Sequence, residues 1–168
     1  MDKKRRCCFT GYRPDKVGNN EKYIKDKLKE EIQKTISEGI FTFISGMARG
    51  VDIWAAEVVI QEKRNNPDVK LICASPYPGF ERNRCLAERM KYHEILNNAD
   101  YVINVSDKYS RFCFQIRNMW MVDRSEKLIA VFNGSAGGTK NTVSYAEKKN
   151  IQIVNVLNGN WFSCIYTV

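Results

Sequence analysis

The chain has 168 residues, 43% of them hydrophobic and 27% charged, enough for one packed core and too few for two ordinary domains. Its formal net charge of +8 favours anionic partners only weakly, and no stretch approaches the roughly 18 apolar residues of a membrane-spanning helix. The basic start "MDKKRRCCFTGYRP" lacks the apolar region of a secretory leader, so a cytoplasmic protein with no membrane partner is expected.

In chain order, "RCCFT" (6–10) reads as a first strand and runs into "TGYRP". There Gly11 allows a tight turn and Arg13 can reach an anion; the alternative is a plain turn beside a solvated arginine. Ile24, Leu28, Ile32 and Ile36 then form one apolar stripe on a helix that ends at Gly39. On the other side of that helix, "EKYIKDKLKEEIQK" interleaves lysines with glutamates at i,i+3 and i,i+4, a solvated face and not a basic stripe.

A second strand, "IFTFIS" (40–45), leads through "FISGMARGVD" into a helix over 52–64. Gly46 and Gly50 bracket Met47, Ala48 and Arg49, so backbone can approach a phosphate or ribose closely, and Asp52 stands where a helix N-cap is wanted. Asp52 as a cap alone competes with that reading. The spacing matches neither G-x-G-x-x-G nor G-x-x-x-x-G-K-[ST], so the ordinary dinucleotide and ATP loops are absent.

The third strand, "VKLICAS" (69–75), precedes "PYPGFERN" and a helix over 83–98. The strands "DYVINVS" (100–106), "KLIAVFN" (127–133) and "IQIVNV" (151–156) alternate with helices over 114–125 and 141–149. After the fifth strand, "NGSAGGTKNT" sets Gly137, Gly138, Thr139 and Lys140 ahead of a helix, the composition of an anion-binding helix start or of a glycine-rich turn. The tail "GNWFSCIYTV" is apolar enough to dock on the body or on another subunit. Near-continuous strand hydrophobicity and strict alternation predict an α/β fold: one domain over 1–168, doubly wound, with a mainly parallel sheet of about six strands and helices on both faces. Ligands of such sheets bind beyond the strands' carboxyl ends.

Six cysteines, at 7, 8, 73, 85, 113 and 164, show no C-x-x-C spacing and no histidine pair, which argues against zinc. Cys7, Cys8 and Cys73 read as small reduced hydrophobes, and the single histidine, His93, is assigned no role.

The motifs "FTGYRP", "ISGMARGVDIWAAE", "PYPGFERN", "RNMWMVDRS" and "GSAGGTKNTVSYA", covering nearly the whole chain, together resemble the SLOG superfamily and most closely its YpsA-like branch. The resemblance implies a Rossmann-like fold binding nucleotides or nucleotide-derived ligands. It implies a site drawn from Gly11 and Arg13, from Ser45, Gly46, Arg49, Gly50 and Asp52, and from Gly137, Gly138 and Thr139 around phosphate. Arg117, Asn118 and Asp123 match the family pattern on the base or sugar side, against the alternative of an Arg–Asp pair holding a helix to the sheet. The superfamily's lonely-guy phosphoribohydrolases resemble one another in P-G-G-x-G-T-x-x-E, whose glutamate serves glycosidic hydrolysis. Here Ser144 or Thr142, depending on alignment, takes its place, and neither can act as that carboxylate.

Three readings follow. The first, which is favoured, is a non-catalytic module that senses or sequesters a nucleotide-derived small molecule. The second is a nucleoside-phosphate or NAD-derivative hydrolase using carboxylates among Asp52, Glu57 and Glu81 if they converge. The third is single-stranded DNA binding of the kind found in DprA, whose motif "SGMARGVD" is very similar. Trp54, Trp120 and Trp161 do not alternate with basic residues as a stacking groove suggests, which weighs against DNA. No cofactor is assigned beyond that nucleotide-derived ligand, and self-association into a homo-oligomer is left open.

Overall fold

The computed structural model describes residues 5–157. Six strands, β1 (Arg6–Gly11), β2 (Thr42–Ser45), β3 (Lys70–Ser75), β4 (Tyr101–Asn104), β5 (Lys127–Val131) and β6 (Gln152–Asn155), form one sheet in the order β4-β3-β2-β1-β5-β6. Every pairing is parallel, so a Rossmann-like α/β sheet replaces the "mainly parallel" expectation with an all-parallel one. The connections are α1 (Glu21–Ser37), α2 (Val51–Asn65), α3 (Leu86–Asn98), α4 (Cys113–Asp123) and α5 (Gly138–Lys148).

Alternation along each strand sorts the core into two layers. Phe9, Phe43, Leu71 and Ile129 meet Leu28, Val59 and Tyr92 of α1, α2 and α3. Cys8, Ile44, Ile72 and Ala130 meet Met121 of α4 and Val143 of α5 on the opposite face. The α1 stripe holds: Ile24, Leu28 and Ile32 are buried, and Ile36 packs against the same core at its edge. From β1 the chain winds outward through β2, β3 and β4, then returns to β5 on β1's other side. That reversal places the topological switch beside β1, where a crevice opens at the carboxyl ends.

Several strands are shorter than their apolar runs because a strand ends where its neighbour's ladder ends. β4 stops at Asn104, paired with Ser75, the last residue of β3. The last helix begins three residues earlier than expected, at Gly138, and two 3-10 turns, Pro14–Lys16 and Gly18–Asn20, separate β1 from α1. No described helix is long and apolar enough to cross a membrane. Burial drives the Cys7 thiol well above its ordinary range and those of Cys8 and Cys73 up to about 12, which leaves them protonated packing groups. Cys164, Trp161 and the apolar tail lie outside the described residues.

The amino-terminal end of the sheet is closed by a buried cation. Lys127, fully buried at the start of β5, places Nζ 2.8 Å from Glu31 Oε1 of α1 and 2.8 Å from Glu38 Oε2 just after it. Burial pulls the lysine's pKa down, but the two carboxylates outweigh it and hold the pKa above its ordinary value, while the hydrogen bond from Lys127 lowers that of Glu38. A raised lysine adds stability that is lost as pH rises through its folded pKa. A lowered glutamate adds stability that is lost as pH falls through its own. Lys127→Met is therefore expected to lose about 3 kcal/mol at neutral pH by stranding buried carboxylate, and Lys127→Met/Glu31→Leu to recover part of it; urea unfolding of the two variants checks this.

Candidate functional site

A concavity of about 630 Å³ lies over the carboxyl ends of the strands, with Gly11 ending β1 and Arg13 after it, Ala48, Arg49 and Asp52 after β2, and Arg84 after β3. Its far wall comes from the other helical layer: Phe114, Arg117 and Asn118 share one face of α4 at i, i+3 and i+4, and Gly138 and Thr139 open α5.

The loop between β2 and α2 is built around Asp52. The residue sits in the first turn of α2, not at its N-cap, which is Gly50. Asp52 Oδ2 turns back to accept the Ala48 N–H at 3.1 Å, and Ser45 Oγ donates to the Asp52 carbonyl at 2.8 Å. Met47 adopts φ +60° while fully buried, and its N–H donates to Ser45 Oγ. This is a strained, left-handed non-glycine conformation held from both sides. Gly50 has φ +87°, and a Cβ there would stand 2.4 Å from the Tyr12 carbonyl oxygen, so only glycine lets the β1 loop settle on the start of α2. That packing uses up donors: the Val51 N–H goes to the Tyr12 carbonyl at 3.4 Å, as those of Met47 and Ala48 go to Ser45 and Asp52.

Across the crevice, Arg117 Nη1 lies 3.8 Å from Asp52 Oδ2 and donates to the Gly46 carbonyl, both side chains being almost out of water. Gly46 leaves room for the pair: a Cβ would fall 2.5 Å from Arg117 Nη1 and 2.8 Å from Asp52 Oδ2. Burial raises the Asp52 pKa against the opposing pull of Arg117, the Ala48 N–H and Arg84, and burial likewise lowers that of Arg117. Arg117 Nε also donates to Asn118 Oδ1, and Asn118 Nδ2 to Thr142 Oγ1, which donates to the Gly138 carbonyl. Thr142, one candidate for the missing hydrolase glutamate, is thus a strut between α4 and α5.

Arg84 is a second buried guanidinium on the wall. Its Nη2 donates to the Met47 carbonyl at 2.6 Å and its plane lies 4.8 Å from the Phe80 and Tyr92 ring centroids. Beside it Tyr77, Phe80 and Phe114 make an edge-to-face aromatic group, extended outward by Tyr109. Arg13 and Lys16 stand exposed at the opposite rim, and Arg49 reaches Glu88 at 3.0 Å. Tyr12 ties the β1 loop to the β5 loop through Asn133 and Ser135. α5 has no side-chain cap, and its first backbone bond runs from Asn141 to Gly137, so the N–H groups of its first turn have no helical partner.

Of the residues singled out from sequence, Gly11, Arg13, Arg49, Asp52, Arg117, Asn118, Gly138 and Thr139 line the concavity. Ser45, Gly46 and Gly50 lie beneath it and shape its loop. Gly137, the N-cap of α5 with φ +143°, aims the helix without lining the space. Asp123 does not pair with Arg117: it sits on the outer side of α4, accepting from the Tyr145 hydroxyl at 3.0 Å and facing Lys149 at 2.8 Å. Glu81 is turned away toward His93, 3.7 Å distant, and Glu57 pairs with Lys91, so the three carboxylates are engaged separately. Sequence reasoning passed over Tyr12, Lys16, Tyr77, Phe80, Asn83 and Arg84. The last four flank Glu81 in or beside "PYPGFERN", where only the acid was singled out, although an arginine and two aromatics were equally visible.

Comparison with known proteins places these features in context. The YpsA family model, described as the YspA SLOG family, matches residues 7–157. The uncharacterized SPbeta prophage-derived protein YoqJ of Bacillus subtilis (strain 168) is 37% identical over 138 residues, 74% of this chain and 81% of YoqJ. Among solved structures, DNA processing protein A (DprA) from Streptococcus pneumoniae aligns with a TM-score of 0.64 at 17% identity, over 92% of this chain and 52% of that one. The molybdenum cofactor carrier protein MCP from Chlamydomonas reinhardtii aligns at 0.57 and 18% identity, over 90% of this chain and 75% of the carrier. This chain spans about half the length of the pneumococcal protein, and at such identities the structural likeness is one of fold.

Arg117→Met tests the buried pair. It is expected to cost about 3 kcal/mol at neutral pH by leaving Asp52 ionised and unpaired. Without the arginine the Asp52 pKa moves further up, and a raised carboxylate destabilises fully above its folded pKa and not at all below its unfolded one, so the deficit should shrink as pH falls between the two. Chemical denaturation at two pH values reads this; a deficit independent of pH would mean lost packing alone.

Proposed function

The chain belongs to the YspA SLOG family, and from that premise we propose that its concavity binds a nucleotide or nucleotide-derived small molecule as a sensing or sequestering module. The observation that carries the reading is the convergence, in one space of about 630 Å³, of cationic side chains from three loops with an aromatic group and an uncapped helix start. Phosphate is assigned to Arg13, Lys16 and the first turn of α5, where cations and unpartnered N–H groups meet. A planar base fits the faces of Tyr77, Phe80 and Phe114. Asp52, with Oδ2 already fixed by Ala48, is placed to accept from a ribose hydroxyl.

A non-catalytic role is supported by the carboxylates. Glu57 and Glu81 are engaged elsewhere, and Asp52 is held by Arg117 and Ala48 in a loop whose donors are largely internal. A DNA-processing protein and a cofactor carrier both stand among the fold neighbours, which agrees with either a nucleic-acid or a small-molecule partner. The enclosing walls, formed from both helical layers, favour the small molecule.

Calorimetric titration with nucleoside mono- and diphosphates, ADP-ribose, NAD and a short single-stranded oligonucleotide, each mixture then assayed for products, tests the proposal. One small nucleotide is expected to bind without turnover, and Arg13→Ala/Lys16→Ala to weaken it by about 10- to 100-fold, as loss of charge-assisted contacts implies. Binding of the oligonucleotide alone, with steep salt dependence, would overturn the small-molecule reading; release of a free base would overturn the non-catalytic one.

A further inference from the structure

Most polar groups around the concavity are spoken for within the protein. Ser45 Oγ donates to the Asp52 carbonyl, Asn118 links Arg117 to Thr142, and Arg84 donates to the Met47 carbonyl. Three oxygens are left over. Among the described residues the Thr10 and Thr139 hydroxyls and Asp52 Oδ1 have no hydrogen-bond partner, although Thr10, Thr139 and Asp52 are only 7%, 9% and 6% exposed. None of the three oxygens is sealed off from solvent, and all three residues line the concavity.

Thr10 and Asp52 stand together. Carrying the Cys8–Ile44 pairing on by two residues brings Thr10 alongside Gly46, and a side chain on Gly46 would run into Asp52 Oδ2 and Arg117 Nη1. Thr10 points to that same side, as Cys8 and Ile44 do, because strand residues two apart share a face. The floor of the concavity therefore sets an oxygen that only accepts, on Asp52, beside a hydroxyl that both donates and accepts. Thr139 belongs instead to the first turn of α5, the end assigned to phosphate.

We infer that the Thr10 hydroxyl and Asp52 Oδ1 read the two free hydroxyls of a ribose, so that the ligand is a 5′-phosphorylated ribonucleoside and neither a deoxyribonucleotide nor an internal unit of a nucleic-acid strand. The inference rests on the nucleotide reading of the same concavity and narrows it. Asp52, ionised beside Arg117, accepts from one hydroxyl, and Thr10 meets the other. A deoxy sugar would draw a buried carboxylate oxygen or a buried hydroxyl away from water and give it no partner in return. An ester on either hydroxyl, as in a polynucleotide, removes the donor and sets oxygen lone pairs against each other.

Calorimetric titration of the full chain with AMP, GMP, CMP and UMP, with the 2′-deoxy and 3′-deoxy form of each, and with the matching 3′,5′-bisphosphates tests this. The tightest ribonucleotide is expected to bind at least about fivefold more strongly than either of its deoxy forms or its bisphosphate, as an unpartnered buried polar group implies. Thr10→Val, which keeps the β-branched shape and removes the hydroxyl, should bring one of the two deoxy forms level with the ribonucleotide. Thr10→Ser, which keeps the hydroxyl, should retain the preference. Equal binding of ribonucleotides and deoxyribonucleotides overturns the inference and leaves the nucleotide reading standing, and so does a preference that Thr10→Val does not change. If none of these compounds binds, the inference and the nucleotide reading fall together.

Discussion

One buried ion pair joins the two helical layers of the molecule beneath the concavity. Asp52 belongs to α2 on one face of the sheet and Arg117 to α4 on the other, and they meet above the carboxyl end of β2. Neither group is comfortable there, since burial raises the acid and lowers the base, and each makes the other's charge tolerable. The geometry around them follows from that need. Gly46 is glycine because the guanidinium occupies the space of a side chain, and the stretch from Ser45 to Val51 folds back so that the N–H groups of Met47, Ala48 and Val51 meet Ser45 Oγ, Asp52 and the Tyr12 carbonyl. A hydrophobic pair would bridge the layers more cheaply, but it would leave the Ala48 N–H and the Gly46 carbonyl without their side-chain partners.

The opposite end of the sheet carries a counterpart with a different character. Lys127 is as deeply buried as Arg117, yet its carboxylates come from one helix and the residue that ends it, and the described concavities do not include it. It pins α1 to β5 and nothing more. The contrast shows why burial of a charge alone does not mark a site: the pair at the carboxyl ends is accompanied by strain, unmatched cations and open helix donors, and the one at the amino ends is not.

Much of the architecture was legible because fully buried parallel strands leave near-continuous apolar runs and because the Ile24–Leu28–Ile32 stripe has one helical period. The loops that line the concavity were legible as well, since glycine at 46 and 50 and arginine at 13 and 49 sit just beyond strands. What composition could not show was who pairs with whom. Arg117 and Asp123 are six residues apart on one helix and point to different sides, so a local Arg–Asp reading fails and the true partner lies 65 positions away. Asp52 looked like a cap because it follows a glycine by two residues, but the helix begins at Val51, and its carboxylate reaches back to a loop N–H instead. Tyr12 and Lys16 escaped notice because they belong to the irregular loop and the short 3-10 turn that follow β1, which leave no periodic trace.

α4 carries both a wall of the concavity and an exposed outer surface. One face of this eleven-residue helix supplies Phe114, Arg117 and Asn118 to the concavity, while Phe112 at its N-cap and Ile116 on another face are exposed. A rigid helix cannot move one face without the other. A ligand that draws Phe114 or Asn118 inward therefore also repositions those exposed side chains. The Asn118–Thr142–Gly138 chain sets how far such a shift can travel, because it fastens α4 to the start of α5. The same hydrogen bonds that shape the start of α5 thus limit the freedom of α4.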